Sequence, residues 1–185
     1  MNELIYLDIE TGGFNKYRDA ICSITLKYKE ESRTWYIKPY GKRYNNGAFA
    51  VHGITTRELY EKGIEPKAVI YEIHAFIITL TKGNGMFVGH NLHFDLSFLE
   101  VFFEEHQDNL YRNITYHYLD SMISANYLRY VGKINPPSLK LVDLYTMWFN
   151  DGLEKKAHRS EFDVEMTQKV FERLLLIEND NGKRN

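Results

Sequence analysis

Asp8 and Glu10 stand two residues apart at the end of the apolar run Leu4-Ile5-Tyr6-Leu7. Side chains at i and i+2 of a strand share a face, so both carboxylates look the same way. Two anions on one buried face repel each other and lose hydration. A fold tolerates that where cations offset the charge. Gly12 and Gly13 then break the strand and let backbone or ligand come close. Two more acids stand where helices should begin. Asp95 follows His90 by five residues, in the first turn of a phenylalanine-rich helix. Asp163 follows His158 by the same spacing, in the first turn of the last helix. Ligand sites in α/β sheets gather at the carboxyl ends of strands, where these four acids could converge. Hard divalent cations prefer carboxylate and water oxygens, so an all-carboxylate set favours Mg²⁺ or Mn²⁺ over Zn²⁺. Two such ions about 4 Å apart stabilise both the attacking and the leaving oxygen of a phosphoryl displacement. His158, on a polar connector beside Asp163, is placed to take the proton of an attacking water. Read alone, Asp8 and Glu10 also fit an ordinary strand end with two solvated acids.

The elements that must carry these groups follow from patterning. Leu4 to Leu7 reads as a strand buried in the middle of a sheet. Ala20 to Tyr28 and Thr34 to Lys38 are strand-like runs joined by the polar stretch 29–33, the pattern of antiparallel hairpins. Pro39 to Gly47 reads as a loop and Val51-His52-Gly53-Ile54 as a short apolar segment. Thr55-Thr56-Arg57-Glu58 has the form of a capping box and opens a short helix that Gly63 ends. Pro66 suits the first turn of a longer helix, with Val69, Ile70, Ile73, Phe76, Ile77 and Leu80 as its stripe. Met86 to Gly89 is a compact strand. Asn91 and His93 precede a helix whose apolar side carries Phe94, Phe98, Leu99 and Phe102. Thr115 to Leu119 is a further strand, and a helix follows it to about Tyr130. Asp120 closes that strand, either to cap the following helix or to support the acids from behind. Ser138 is placed to cap a helix to about Met147, and the last helix starts near Glu161. Hairpin strands first, then strands alternating with helices, indicate an α/β protein: a mixed sheet flanked by helices. One domain over residues 1–178 and a polar tail over 179–185 are expected.

Composition bounds the function. At 185 residues with 44% hydrophobic content the chain can bury a real core in a single domain. A net charge of −2 excludes a global polycation, so nucleic acid must be held by local patches or bound metal. The single cysteine, Cys22, makes no internal disulfide, and no Cys/His spacing suggests zinc. The N-terminus lacks the cationic start and apolar core of a secretory signal, and the apolar runs are too short to span a bilayer. A cytoplasmic protein without membrane contact is the expectation. Lys38, Tyr40, Lys42, Arg43 and Tyr44 interleave charge with rings, a mixture suited to single strands. A solvated loop is the alternative. Lys155, Lys156 and Arg159 flank His158 and could guide a phosphate backbone inward.

Three segments, in this order, carry a family resemblance. Asp8-Ile9-Glu10-Thr11-Gly12-Gly13-Phe14, His90-Asn91-Leu92-His93-Phe94-Asp95 and His158-Arg159-Ser160-Glu161-Phe162-Asp163 resemble the three exonuclease motifs of the DEDDh branch of the DEDD superfamily, the DnaQ-like or RNase T-like 3′–5′ exonucleases. The histidine five residues before the last aspartate selects this branch, since a tyrosine marks the sister branch. Val51-His52-Gly53-Ile54-Thr55 is similar to the group's His-Gly-Ile segment. The resemblance implies a ribonuclease H-like fold and a two-metal hydrolase releasing nucleoside 5′-monophosphates from single-stranded ends, DNA ahead of RNA. It implies Asp8, Glu10, Asp95 and Asp163 as metal-binding acids, His158 as general base, and Thr11, Phe14 and His52 beside the terminal nucleotide. Gly12 departs from the family, where many relatives carry Thr, and is expected to loosen the turn. The rival readings are an exoribonuclease of the RNase T or oligoribonuclease type, and a proofreading or repair accessory that mainly holds a polymerase.

Overall fold

The computed structural model describes residues 2–179. Of the expected polar tail, all but Asn179 lies outside the described residues. Five strands form one mixed sheet in the order β3-β2-β1-β4-β5. They are β1 (Glu3–Thr11), β2 (Ile21–Tyr28), β3 (Glu31–Tyr36), β4 (Gly85–Gly89) and β5 (Ile114–Asp120). β1 runs antiparallel to β2 and parallel to β4, so the strand bearing Asp8 and Glu10 sits in the middle, as its apolar run requires. The helices are α1 (Asn46–His52), α2 (Thr56–Lys62), α3 (Pro66–Thr81), α4 (Leu92–Glu105), α5 (Ser121–Tyr130), α6 (Leu141–Thr146) and α7 (Ser160–Asn179). Among the described residues no helix is long and apolar enough to cross a membrane.

The alternation of β1 sorts its two faces. Ile5, Leu7 and Ile9 pack with Val69, Ile73 and Ile77 of α3 and with Leu96, Leu99 and Phe103 of α4. Tyr6 faces the other way, against Val164 and Phe171 of α7 and Val88 of β4. Each fully buried aliphatic or aromatic side chain contributes about 1.5–3 kcal/mol relative to exposure, so slipping β1 by one residue would forfeit both faces at once. Asp8 and Glu10 share parity with Tyr6 and therefore lie on the α7 face. That choice is what allows them to meet an acid from α7.

Several boundaries differ from the sequence reading. β3 starts at Glu31 because the hairpin turn is only Lys29-Glu30, with Lys29 at φ +55°. Residues 46–52 form α1, where the sequence read loop and apolar segment. Asn45, which looks like a turn residue, caps it by accepting the Gly47 N–H at 2.8 Å, and Gly53 at φ +72° ends it. His93 lies inside α4 rather than before it. α6 is shorter than expected: Ser138 Oγ accepts the Lys140 N–H at 3.1 Å, which makes a turn ahead of the helix instead of capping it. The capping box at Thr55 forms, with its hydroxyl accepting the Glu58 N–H at 3.1 Å.

Candidate active site

Asp8, Glu10 and Asp163 each offer a carboxylate oxygen, and these oxygens lie within 4.8 Å of one another. A short run of hydroxyls accounts for the meeting. On β2, Thr25 stands opposite Asp8 and Ser23 opposite Glu10. Ser160, the first residue of α7, is buried and shares hydrogen bonds with both, at 2.8 Å to Thr25 Oγ1 and 3.2 Å to Ser23 Oγ. This pins the N-terminus of α7 over the strand pair. Asp163, three residues on, then projects toward the two β1 acids. Its Oδ2 accepts the backbone N–H of His158 at 3.0 Å. Its Oδ1 is buried and has no hydrogen-bond partner among the described residues.

Burial holds each of these groups away from its ordinary titration, and for Asp8 and Glu10 the neighbouring acids add to it. The Asp8 carboxyl is raised well above the usual range by burial first, then by the charges of Asp95, Asp163 and Glu10. Burial, followed by Asp163 and Asp95, pushes Glu10 up to about 8, with Arg159 opposing. Burial pushes Asp163 to about 7 against the pull of the His158 amide. An orphaned, buried carboxylate oxygen among crowded acids fits a hard cation. The three-acid set offers oxygen ligands only, without His or Cys, and suits a divalent cation.

Asp95 stands apart from this trio. It lies buried in the first turn of α4, and its Oδ1 accepts the Ile9 N–H at 3.1 Å. β4 runs beside β1 only as far as Tyr6 opposite Val88, so beyond that point the β1 edge turns to Asp95. Burial pushes its carboxyl up to about 8 despite that bond. It is close enough for its charge to bear on Asp8 and Glu10.

His158 is exposed, with a left-handed backbone at φ +68°. Thr11 Oγ1 donates to the Gly13 carbonyl at 2.7 Å and shapes the turn after β1. Phe14 is 93% exposed, its ring edge-on to Phe94 with centroids 6.3 Å apart. The sequence reading placed Phe94 only on the apolar side of its helix; its place directly before Asp95 is the signal that ties it to the site. His52 is buried. Its Nδ1 accepts the Ile54 N–H at 3.0 Å, which leaves the proton on Nε2. That nitrogen is buried without a hydrogen-bond partner among the described residues. Burial lowers the pKa of the ring, while the Thr11 carbonyl acts in the opposite sense.

Gly12 does not loosen the turn. Its N–H donates to the Ala20 carbonyl and its carbonyl accepts the Asn45 N–H, both at 2.8 Å. A Cβ there would stand 2.7 Å from the Arg43 carbonyl oxygen. The glycine is needed because the 40–45 loop closes directly on it. The cations and rings of that loop have partners within the chain. Arg43 Nε donates to the buried Asp19 at 2.7 Å, Lys42 pairs with Glu105, and Lys38 pairs with Glu65 at 2.7 Å. Tyr40 accepts the Ile21 N–H and packs edge-on to Phe102.

The family model described as Exonuclease, of the RNase T group, matches residues 5–171. Ribonuclease T of Buchnera aphidicola subsp. Baizongia pistaciae (strain Bp) is 34% identical over 51% of this chain and 51% of its own length. Its counterpart from Buchnera aphidicola subsp. Schizaphis graminum (strain Sg) is 31% identical over 51% and 50%. The chain spans about half the length of these curated relatives. Among solved structures, the zinc-ion-bound form of an E. coli ExoI–ssDNA complex superposes with a TM-score of 0.73 at 21% identity, covering 95% of this chain and 43% of that one. E. coli exonuclease I with a dA16 oligonucleotide gives 0.74 at 20%, over 95% and 43%. The fold is thus the ribonuclease H-like one, and the chain belongs to the RNase T-type exonuclease family.

Proposed function

We propose, from its place in this exonuclease family, that the chain is a metal-dependent 3′–5′ exonuclease acting on single-stranded ends. The observation that carries this is the Asp8–Glu10–Asp163 oxygen trio with its orphaned Asp163 Oδ1. Asp8, Glu10 and Asp163 would hold the cations, Mg²⁺ or Mn²⁺ and two in number, with Asp95 beside them. When bound, such ions lower the pKa of water and stabilise charge on the attacking and leaving oxygens. The chain's own residues supply the rest. His158, exposed at the mouth and anchored through its backbone to Asp163, removes the proton from the attacking water. Phe14 offers its open ring face to the last base, with Thr11 in the turn before it and His52 as further residues for the terminal nucleotide. Residues 1–178 act as one domain, working in the cytoplasm.

The relatives' names divide between RNA and DNA. The ribonuclease T likeness favours an exoribonuclease as the second reading, and the ssDNA-bound E. coli structures favour DNA. A polymerase or repair complex is the remaining partner class. The test is digestion of matched DNA and RNA oligomers, labelled at either end, with Mg²⁺ or Mn²⁺ and with EDTA. Stepwise loss of mononucleotides from the 3′ end supports the reading. Release from the 5′ end, or full activity in EDTA, overturns it.

A further inference from the structure

α4 carries Asp95, yet it has no side-chain cap of its own: Asn91, the residue before it, makes no capping bond. The N–H groups at its start are taken by a residue from another strand. Asp120, at the end of β5, is 6% exposed. Its Oδ2 accepts the Leu92 N–H at 2.8 Å and its Oδ1 the Asn91 N–H at 3.2 Å. The same Oδ1 accepts the N–H groups of Met122 at 2.8 Å and Ile123 at 3.2 Å, at the start of its own helix. One buried carboxylate therefore serves two helix N-termini, both of which favour an anion there.

The backbone is shaped to receive it. Asn91 takes φ +59°, ψ +40° ahead of helical Leu92, so two successive N–H groups converge as an anion-binding nest. Gly89 stands opposite Asp120 in the parallel register, and a Cβ there would lie 2.5 Å from Leu92 Cδ1. The tight passage from β4 into α4 brings the nest onto Asp120. His90 adds a second tie, from Nδ1 to Ser121 Oγ at 2.8 Å and from Nε2 to the Leu139 carbonyl at 2.9 Å.

We propose that Asp120 is a positioning residue for the acid cluster: by clamping Asn91 and Leu92 it fixes the first turn of α4, and through that turn the reach of Asp95 to Ile9. The physical need comes from the cluster itself. Asp8, Glu10 and Asp163 crowd at one end of the sheet with Asp95 beside them, and Asp95 rides on a helix whose own N-cap residue makes no side-chain bond. The inference rests on the exonuclease reading for the purpose of Asp95, and its geometry can be tested without turnover.

The deciding variant is Asp120→Ser. A serine hydroxyl caps α5 well but is too short to reach across to Asn91 and Leu92 as well. Two readouts are taken on the full chain without nucleic acid: Mn²⁺ affinity by calorimetry, and hydrogen exchange of the Ile9 amide. Removing a supporting partner of this kind weakens metal binding by about 10- to 100-fold, and the Ile9 amide should lose protection while the rest of β1 keeps it. Asn91→Val, which cannot hold the left-handed nest, should reproduce both effects from the other side. Asn91→Gly, which can, should not. Affinity within about twofold of the parent and a protected Ile9 amide in both Asp120→Ser and Asn91→Val would overturn the proposal. If the parent chain binds no Mn²⁺, the exonuclease reading fails, and Ile9 exchange alone decides the clamp.

Discussion

The backbone N–H of His158 donates to Asp163 Oδ2 at 3.0 Å, so the exposed histidine is tied to the buried acid through its main chain and not its ring. The link survives loss of the imidazole. His158→Ala should therefore lower turnover by about 10²- to 10⁴-fold while leaving metal-dependent oligonucleotide binding in place. Since φ is +68° at this position, His158→Gly should lose the same activity with less backbone strain. Measured turnover and binding in the two variants check this. Near-normal turnover in either would remove the ring from the reaction.

Phe14 is open to solvent apart from its edge contact with Phe94. Removing an exposed ring leaves little to destabilise, so Phe14→Ala should keep its melting temperature. If the ring stacks on the terminal base, oligomer binding should weaken by about 1–3 kcal/mol. Fluorescence anisotropy beside a thermal melt separates the two effects. An unchanged dissociation constant would assign Phe14 a different role.

Gly12 carries the sharpest correction to the sequence reading. A Thr at this position would drive a Cβ to 2.7 Å from the Arg43 carbonyl oxygen. Overpacking of this kind costs about 1–3 kcal/mol, which for a domain of this size is roughly 2–12 °C in melting temperature. A Gly12→Thr variant that melts with the parent would mean that the 40–45 loop yields easily and that the glycine is incidental.

What patterning could reveal was local. Asp8 and Glu10 were legible because strand parity is a two-residue rule. Asp163 and Asp95 were legible as first-turn acids, and Thr55 through its capping box. The contacts that bring these groups together were not. Ile9 and Asp95 are 86 residues apart, and Ser160 is 135 from Thr25, distances over which periodicity is silent. The partners of the 38–44 stretch are out of reach in the same way, since Asp19, Glu65 and Glu105 arrive from elsewhere in the chain. α1 was hidden because Asn45 and Gly53 mark turns and helix caps alike. Asp120 at a strand end reads as a cap or a support. It caps its own helix, and its second set of bonds, to the start of α4, lies beyond any local pattern.

The acid cluster makes a prediction about stability rather than rate. In the metal-free protein Asp95 and Glu10 titrate near 8 and Asp163 near 7, each raised first by burial. Unfolded carboxylates titrate near 4. Between those limits the folded state holds more protons than the unfolded one, so stability falls as pH rises. The penalty is absent below about pH 4, grows as pH rises through the interval, and is still growing at pH 8, where Glu10 and Asp95 are only partly ionised. The EDTA-treated protein should therefore lose melting temperature across that window, and Mg²⁺ or Mn²⁺ should restore it, because a ligand specific to the folded state stabilises by mass action. The Asp8 carboxyl is itself raised well above its ordinary range, by burial first and then by Asp95, Asp163 and Glu10, so Asp8→Asn removes the cost of burying that group together with its share of the repulsion. Each pKa unit relieved is worth about 1.4 kcal/mol, or roughly 3–6 °C here. Apo Asp8→Asn should thus be inactive yet melt higher than the apo parent at pH 7–8, and metal should stabilise it less. A thermal-shift titration with and without EDTA reads both. If apo Asp8→Asn melts lower than the parent, and metal shifts the two equally, the carboxylates do not act as one cation site.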